Sequence, residues 1–361
     1  MNQREREKEM NEKIMRQEIR HYQTPFYLFD TDVLKERMEQ IRSALGHRAE
    51  ICYAMKANPF LTGVLKDEAD SFEVCSPGEF RICERAGIPM EKIVMSGVYK
   101  NPEDISYAVM TYGDRGVYTA ESPAQWELLK LCSEKYDVRL RVLLRLSSGS
   151  QFGMDEDTIL RIAAGRDSAP NLIIEGLQLF SGTQKRSPKK YRRELSRLEE
   201  FRTKLENDLG LPVDRLEYGP GLPVGYFEEE EDNGDELMSL LAQELERLEF
   251  GGKIVLEMGR FIAASCGSYV TGIADLKVSE GQGYCIADGG IHHVNYFGQM
   301  MAMKKPPIRH LKCQKENGQT AGESLWTICG SLCTMNDVLV KQFPLDHPSV
   351  GDSLVFEKTG A

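Results

Sequence analysis

The chain has 361 residues, of which 41% are hydrophobic and 28% charged, and its formal net charge at pH 7 is −11. No apolar run approaches the roughly 20 residues that a membrane-spanning helix needs, and the negative charge repels nucleic acid and anionic lipid. The length of the chain predicts two domains. The charge and the lack of a long apolar run predict neither nucleic acid nor membrane as a partner.

The first 23 residues form a leader rich in Glu, Arg and Lys, without the apolar core of a secretory signal. We predict a frayed or surface helix there. The nine cysteines are scattered and lack the CxxC spacing of metal sites. These features together predict reduced thiols, a cytoplasmic location and no metal site.

Strand-like and helix-like segments alternate after the leader. Residues 25–29 predict a short strand, and Thr31 to Leu45 a helix opened by Thr31 or Asp32. Amphipathic helices are predicted at Pro123 to Tyr136 and Pro188 to Leu209. Short apolar or β-branched runs predict eight further strands: 50–54, 71–74, 93–95, 116–119, 139–146, 173–180, 215–218 and 253–256.

This alternation predicts the fold class. Eight β/α units match a (β/α)8 TIM-like barrel, with a doubly wound open sheet as the alternative. From residue 261 the sequence changes to short β-like runs separated by glycine and charge. We predict an α/β chain with a barrel over residues 24–260 and an all-β C-terminal domain, a β-barrel or sandwich, over residues 261–361. Residues 24–30 either begin the barrel or pair with the β domain.

A lysine lies at the end of the first predicted barrel strand. Lys56 follows an apolar stretch and precedes an Asn-Pro breaker, and the catalytic groups of such barrels lie at the carboxyl ends of the strands. Partial burial there would lower the pKa of the amine and free it for imine formation. An exposed strand-end lysine would show the same pattern.

Two glycine-containing loops follow the sixth and seventh barrel strands. Residues 181–184 read Ser-Gly-Thr-Gln, and residues 219–221 read Gly-Pro-Gly. Barrels often bind phosphate at such loops through backbone N–H groups, although turn formation explains either loop alone. Two loops on neighbouring strands favour a phosphate site.

The eighth strand ends in Glu-Met-Gly-Arg, which offers the Glu257 carboxylate and the Arg260 guanidinium. A carboxylate against a pyridine nitrogen keeps the ring protonated and able to accept electrons. A structural ion pair between Glu257 and Arg260 is the alternative. Downstream, Cys333 lies in the stretch 329–337, Cys-Gly-Ser-Leu-Cys-Thr-Met-Asn-Asp, where an inert buried thiol is the ordinary expectation.

In this order, these motifs resemble the fold-type III pyridoxal-phosphate decarboxylases, the group of ornithine and diaminopimelate decarboxylases, from Thr24 to Ala361. The resemblance implies a pyridoxal-phosphate-dependent amino-acid carboxy-lyase that forms a head-to-tail homodimer with shared active sites. By position, Lys56 would form the Schiff base and Glu257 would meet the pyridine nitrogen. Cys333 of the second subunit, or Lys56 itself, would return a proton to the carbanion. The implied cofactor-binding residues are Lys56, Phe180, Gly182, Thr183, Gly219, Gly221, Glu257, Gly259 and Arg260.

Three positions depart from the family pattern. Phe180 stands where a ring-stacking histidine is usual, and it can stack but cannot ionise. Thr334 stands where an acidic residue holds the substrate's distal amine, and Glu73 replaces the usual aspartate. The implied substrate contacts are Arg260, Cys333 and Thr334, so a simple diamino acid is a poorer candidate.

Further segments are similar to a biosynthetic subgroup that includes the butirosin-pathway decarboxylase, which acts on a glutamyl group attached to an acyl carrier protein, and exopolysaccharide-associated decarboxylases. The segments are residues 179–184, 288–293, 295–299 and 329–334. They imply a conjugated or carrier-tethered α-amino acid. Diaminopimelate decarboxylation, amino-acid racemisation and a non-catalytic decarboxylase-like regulator are the alternatives. The family pattern continues past Ala361 with a tyrosine that contacts the phosphate, so we expect a truncated β domain and weaker cofactor retention.

Overall fold

The computed structural model describes residues 13–313 and 324–361. The chain forms two compact units: a barrel unit of residues 31–224 and 232–263, and a β unit that contains residues 225–231, 264–361 and the chain up to residue 30. The boundary follows Ala263 rather than Arg260, because Arg260–Ala263 is a helical turn that continues directly from the last barrel strand. Within the described ranges, no helix is both long and apolar enough to cross a membrane.

Strand β1 (Phe26–Phe29) pairs with a strand of the β unit, and the next eight strands close the predicted barrel. Each barrel strand pairs in parallel with the next along the chain, and the last pairs with the first. The strands are β2 (Glu50–Ala54), β3 (Ser71–Val74), β4 (Ile93–Met95), β5 (Val117–Ala120), β6 (Leu140–Arg145), β7 (Leu172–Phe180), β8 (Arg215–Gly219) and β9 (Lys253–Met258).

Four helices of the barrel unit begin after a side chain that caps them. Ser76, Asn101, Ser122 and Asp155 each accept a hydrogen bond from a first-turn N–H of the helix that follows. The helices are α1 (Thr31–Leu45), α2 (Thr62–Leu65), α3 (Pro77–Ala86), α4 (Pro102–Tyr112), α5 (Pro123–Tyr136), α6 (Glu156–Ala164), α7 (Pro188–Leu209), α8 (Gly234–Glu246) and α9 (Arg260–Ala263).

The β unit contains a seven-stranded sheet in the order β12-β15-β10-β11-β13-β14, with β1 also paired to β10. Only the β11–β13 pair is parallel among these described strands. Strand β10 pairs with β1 and β15 through residues 267–272 and with β11 through residues 273–279, and its register with β11 shifts between Ile273 and Asp275. The strands are β10 (Gly267–Ser279), β11 (Gln282–Ala287), β12 (Ile308–Leu311), β13 (Ser324–Cys329), β14 (Val338–Leu345) and β15 (Ser353–Glu357).

The described part of the charged leader is docked on this sheet rather than frayed. Residues 13–21 are helical, and Met15 is buried in a cluster with Val270, Leu311 and Val355. Ile19 packs against the same cluster. Of the two predicted forms, the described residues therefore take the surface helix, and the charged composition of the leader masks the apolar contacts that hold it. The first 12 residues of the predicted leader lie outside the described residues.

Candidate active site

Lys56 lies at the carboxyl end of the first barrel strand, in the single 3-10 turn Met55–Ala57 that follows β2. Its Nζ is 2.9 Å from Glu73 Oε2 and 5.1 Å from the centre of the Phe180 ring. The Glu73 side chain is 1% exposed, whereas that of Lys56 is 46% exposed. The amine is therefore held by a buried carboxylate and can still be reached from solvent.

The pKa of Lys56 differs from the sequence prediction. Burial does act to lower it, but Glu73, and to a smaller extent Cys75 and Glu257, raise it, so that the pKa lies above the ordinary lysine value. Conversely, burial acts to raise the pKa of Glu73, but the Lys56 ammonium lowers it. The predicted lowering is wrong because the sequence did not show that Glu73 lies against the amine. Lys56 therefore carries its proton at neutral pH.

Glu257 is buried near the end of β9 and is bound by an amide from another strand. Gln178 Nε2 donates to Glu257 Oε1, and it also lies 3.2 Å from Ser96 Oγ and 3.4 Å from Glu217 Oε1. Burial, and then repulsion from Glu73 and Glu217, raise the pKa of Glu257 well above the ordinary carboxyl value. Burial and the neighbouring carboxylates therefore both favour the protonated form of Glu257.

Sequence reasoning missed Gln178 and Glu217, which lie next to Glu257 in the barrel. Both are fully buried, and Arg215 donates a hydrogen bond to Glu217. A signal was present in the sequence, because each is a polar residue between two large apolar residues of a barrel strand, in Leu-Gln-Leu and Leu-Glu-Tyr. Inward-pointing polar residues in such strands mark polar layers inside a barrel.

The predicted phosphate-binding residues meet after β7, β8 and β9. Arg260 Nη1 donates to Thr183 Oγ1 over 3.3 Å. Gly221 has φ of +60°, and a Cβ there would lie 2.1 Å from Gly182 O, so this close approach of the two loops requires glycine. A cavity of about 120 Å³ is lined by residues that include Lys56, Phe180, Thr183, Gly221, Glu257, Gly259 and Arg260.

Two further glycines leave room for the walls of this cavity. A Cβ on Gly219 would lie 2.4 Å from Phe180 Cδ2, and one on Gly259 would lie 2.8 Å from Ala57 Cβ. Both distances are shorter than a Cβ contact allows, so Gly219 makes space for the Phe180 ring and Gly259 for the turn that carries Lys56.

The residues around the cavity fit pyridoxal phosphate. Lys56 offers an amine for the aldehyde, and Glu257 offers a buried carboxyl with a raised pKa for the ring nitrogen. Phe180 offers an aromatic face, while Thr183, Arg260 and the Gly221 cradle supply the donor types that bind a phosphate.

Cys333 and Thr334 belong to the β unit and are not among the residues that line this cavity. Both are exposed on residues 330–337, which we call the Cys333 loop, between β13 and β14. Asp337 is buried at the end of the loop, and its carboxylate accepts hydrogen bonds of 2.7 Å from the N–H groups of Ile291 and Leu332. The loop is therefore fixed through its backbone while its side chains face solvent.

An amine, an aromatic face, a buried carboxyl and phosphate-type donors at the carboxyl ends of (β/α)8 barrel strands are the groups that a barrel-type pyridoxal-phosphate enzyme requires. Residues 31–264 match the family described as pyridoxal-dependent decarboxylase, pyridoxal binding domain. The chain belongs to this family. The predicted cofactor, barrel and decarboxylase class are thereby confirmed.

Comparisons with individual proteins place the chain among fold-type III decarboxylases. It is 27% identical to the L-glutamyl-(BtrI acyl-carrier protein) decarboxylase of Niallia circulans, over 95% of this chain and 85% of the relative. It is 26% identical to the 2-((L-alanin-3-ylcarbamoyl)methyl)-2-hydroxybutanedioate decarboxylase of Staphylococcus aureus, over 93% and 88%. The fold matches the crystal structure of Helicobacter pylori diaminopimelate decarboxylase complexed with L-lysine with a TM-score of 0.81 at 22% identity, over 96% and 89%.

Proposed function

We propose that this chain removes the α-carboxylate of a conjugated or carrier-tethered amino acid, and that Lys56 is the residue that bonds to the cofactor. The observation that carries the proposal is that Lys56, Glu257 and the Thr183–Arg260 pair line one cavity at the barrel mouth. Each supplies a group that one part of pyridoxal phosphate requires.

Thr183, Gly221 and Arg260 are proposed to hold the cofactor phosphate. The Thr183 hydroxyl and the Arg260 guanidinium lie 3.3 Å apart, close enough to contact neighbouring oxygens of one phosphate group. Phe180 is proposed to lie against the ring, where an aromatic face supplies stacking without charge.

Glu257 is proposed to supply the proton at the ring nitrogen. Pyridoxal phosphate, when bound, accepts into its ring the electron pair that stays on Cα after carbon dioxide leaves. Burial and neighbouring carboxylates raise the pKa of Glu257 and so favour its protonated form. Gln178, itself within hydrogen-bond distance of Ser96 and Glu217, orients Glu257 Oε1.

Lys56 Nζ must lose a proton before it can bond to an aldehyde carbon. Glu73 Oε2, at 2.9 Å, is an acceptor within reach of that proton. The same carboxylate raises the pKa of Lys56, so it opposes release of the proton that it is placed to accept.

We further propose that Cys333 returns a proton to Cα, reaching the site from the partner subunit of a homodimer. The thiol is exposed on its own chain, and the Asp337 contacts fix the backbone that carries it. The nine cysteines all lie in described residues and none of them is in a disulfide bond, which supports a reducing, cytoplasmic setting.

The residue after Cys333, Thr334, supports the proposed substrate class. Thr334 is neutral and cannot form an ion pair with the distal ammonium of a diamino acid. One relative is named for a glutamyl group on an acyl-carrier protein, and another for an alanyl conjugate of a hydroxybutanedioate. Both names support a substrate with a large group or a carrier beyond Cα. Diaminopimelate is the alternative substrate, because the Helicobacter pylori diaminopimelate decarboxylase shares this fold.

Release of labelled carbon dioxide tests the substrate class. The protein and pyridoxal phosphate would be given carboxyl-labelled glutamate loaded on an acyl carrier protein, free glutamate, or diaminopimelate. We expect release mainly from the carrier-loaded group, and none with Lys56→Ala. Thr334→Glu, which adds a carboxylate, should raise kcat/KM for diaminopimelate. A wild-type kcat/KM for diaminopimelate above that for the loaded carrier would contradict the proposed substrate and leave decarboxylation standing.

A further inference from the structure

A buried lysine and glutamate lie next to the two glycine loops, and neither lines the cofactor cavity. Their side chains are 2% and 8% exposed, and Lys185 Nζ is 2.8 Å from Glu194 Oε2. Lys185 follows the loop of residues 181–184, and Glu194 lies on α7. Burying such a pair carries a large desolvation cost. We therefore ask which neighbouring groups the pair holds in place.

Lys185 contacts both loops at once. Its Nζ donates to Ser181 Oγ over 3.1 Å and to Gly219 O over 3.2 Å, so that, with Glu194, three acceptors match the three ammonium hydrogens. The backbone N–H of Lys185 donates to Gly221 O over 2.9 Å. One residue therefore binds the first residue of each loop, and the last residue of the second loop as well.

Glu194 is held on its other side by two hydroxyl groups. Ser181 Oγ donates to one carboxylate oxygen, and Tyr218 Oη donates to the other over 2.6 Å. Burial acts to raise the pKa of Glu194, but Lys185, Ser181 and Tyr218 lower it below the ordinary value. The carboxylate therefore stays charged and balances the Lys185 ammonium.

A second contact ties the same loops together. Gln184 Nε2 donates to Val224 O over 3.1 Å, and the N–H of Val224 donates to Gln184 Oε1 over 2.7 Å. Both connections join the segment after β7 to the segment after β8. Thr183 lies in the first of these segments and Gly221 in the second.

We infer that Lys185 is a positioning residue for the cofactor phosphate, because its ammonium holds the loops of residues 181–184 and 219–221 at the spacing that one phosphate group bridges. The inference rests on the proposed assignment of the phosphate to Thr183, Gly221 and Arg260. Lys185 acts through the loops rather than as a ligand, because its three hydrogens already have acceptors.

The test compares two ligands that differ only in the phosphate. Dissociation constants for pyridoxal phosphate and for pyridoxal would be measured by absorbance titration of the cofactor-free protein. We expect the wild type to bind pyridoxal phosphate more tightly than pyridoxal. In Lys185→Met the ratio of the two dissociation constants should fall about tenfold, which is the effect of disturbing one or two phosphate hydrogen bonds. Lys189→Met removes the same charge from an exposed position of α7 and should match the wild type.

Lys185→Met leaves Glu194 buried without its cation, so the variant can fail to fold. Lys185→Met combined with Glu194→Gln removes both charges and keeps an acceptor for Tyr218, and it should fold and show the same loss of preference. A wild-type preference ratio in the folded double variant, or an equal loss of affinity for both ligands, would overturn the inference. If the wild type itself showed no preference, the proposed phosphate site would fail instead.

Discussion

The barrel unit and the Cys333 loop present their proposed functional groups in opposite ways. In the barrel, Glu73 and Glu257 are buried and each is bound by another side chain. In the Cys333 loop, Cys333 and Thr334 are exposed, and Asp337 fixes the backbone. The difference indicates that cofactor binding is prepared within one chain, whereas proton return and substrate choice depend on what meets the loop.

The largest expected loss of activity follows a substitution in the barrel unit. Lys56→Ala removes the amine that we propose bonds to the cofactor, so carbon dioxide release should fall on the order of a thousandfold or more. The visible absorbance of bound cofactor should disappear with it. Lys189→Ala, on the surface of α7, is the control and should retain both signals. Undiminished turnover by Lys56→Ala would refute the role of Lys56.

The next effect tests the loop. Cys333→Ala should lower kcat by about a hundredfold, the usual range for loss of a general acid, and leave the affinity for pyridoxal phosphate unchanged. Cys313→Ala removes another exposed thiol of the β unit and serves as the control. If kcat is unaffected, or if cofactor affinity falls with it, the division of labour between barrel and loop is wrong.

A smaller effect tests the electrostatics of the barrel. Because Glu73 raises the pKa of Lys56, Glu73→Gln should lower that pKa and increase the neutral amine at pH 7. Lys56 is half-exposed and solvent screens the pair, so we expect a shift of about one pKa unit, or about tenfold in neutral amine. Stopped-flow measurement should show the pH profile for cofactor attachment moving to lower pH. A slower rate at every pH would instead mean that Glu73 acts chiefly as the proton acceptor.

The smallest effect tests how the loop is held. Asp337→Asn removes one of two carboxylate oxygens that accept backbone N–H groups, so the free energy of unfolding should fall by about 1 kcal/mol. We expect kcat to fall severalfold, because Cys333 is held less firmly. Asp346→Asn, at an exposed ion pair with Lys312, should change stability little when followed by denaturant unfolding. Equal stability of the two variants would contradict the role of Asp337.

Much of the barrel was predictable because its strands and helices follow from local sequence patterns, namely short apolar runs and amphipathic periodicity. No barrel strand boundary differs from the predicted one by more than two residues, and α1, α5 and α7 have the predicted bounds. Strand β12 was missed because it has only four residues, and β14 because Pro344 and two polar residues interrupt its apolar pattern.

The electrostatics of the site could not be predicted in the same way. Gln178 meets Ser96 and Glu257 across 82 and 79 residues of chain, and no local pattern encodes such contacts. The sign of the Lys56 pKa shift depends on where the Glu73 carboxylate lies in space. In the sequence, Lys185 looks like an ordinary charged residue before a predicted helix and Glu194 like an ordinary charged residue within it, until the fold buries them together.

Borohydride reduction tests the central claim most directly. The protein would be incubated with pyridoxal phosphate, reduced, digested and mapped by mass spectrometry to find the lysine that carries the phosphopyridoxyl group. We expect the phosphopyridoxyl label on Lys56. A label on another lysine, such as Lys100 or Lys185, or no label at all, would contradict it.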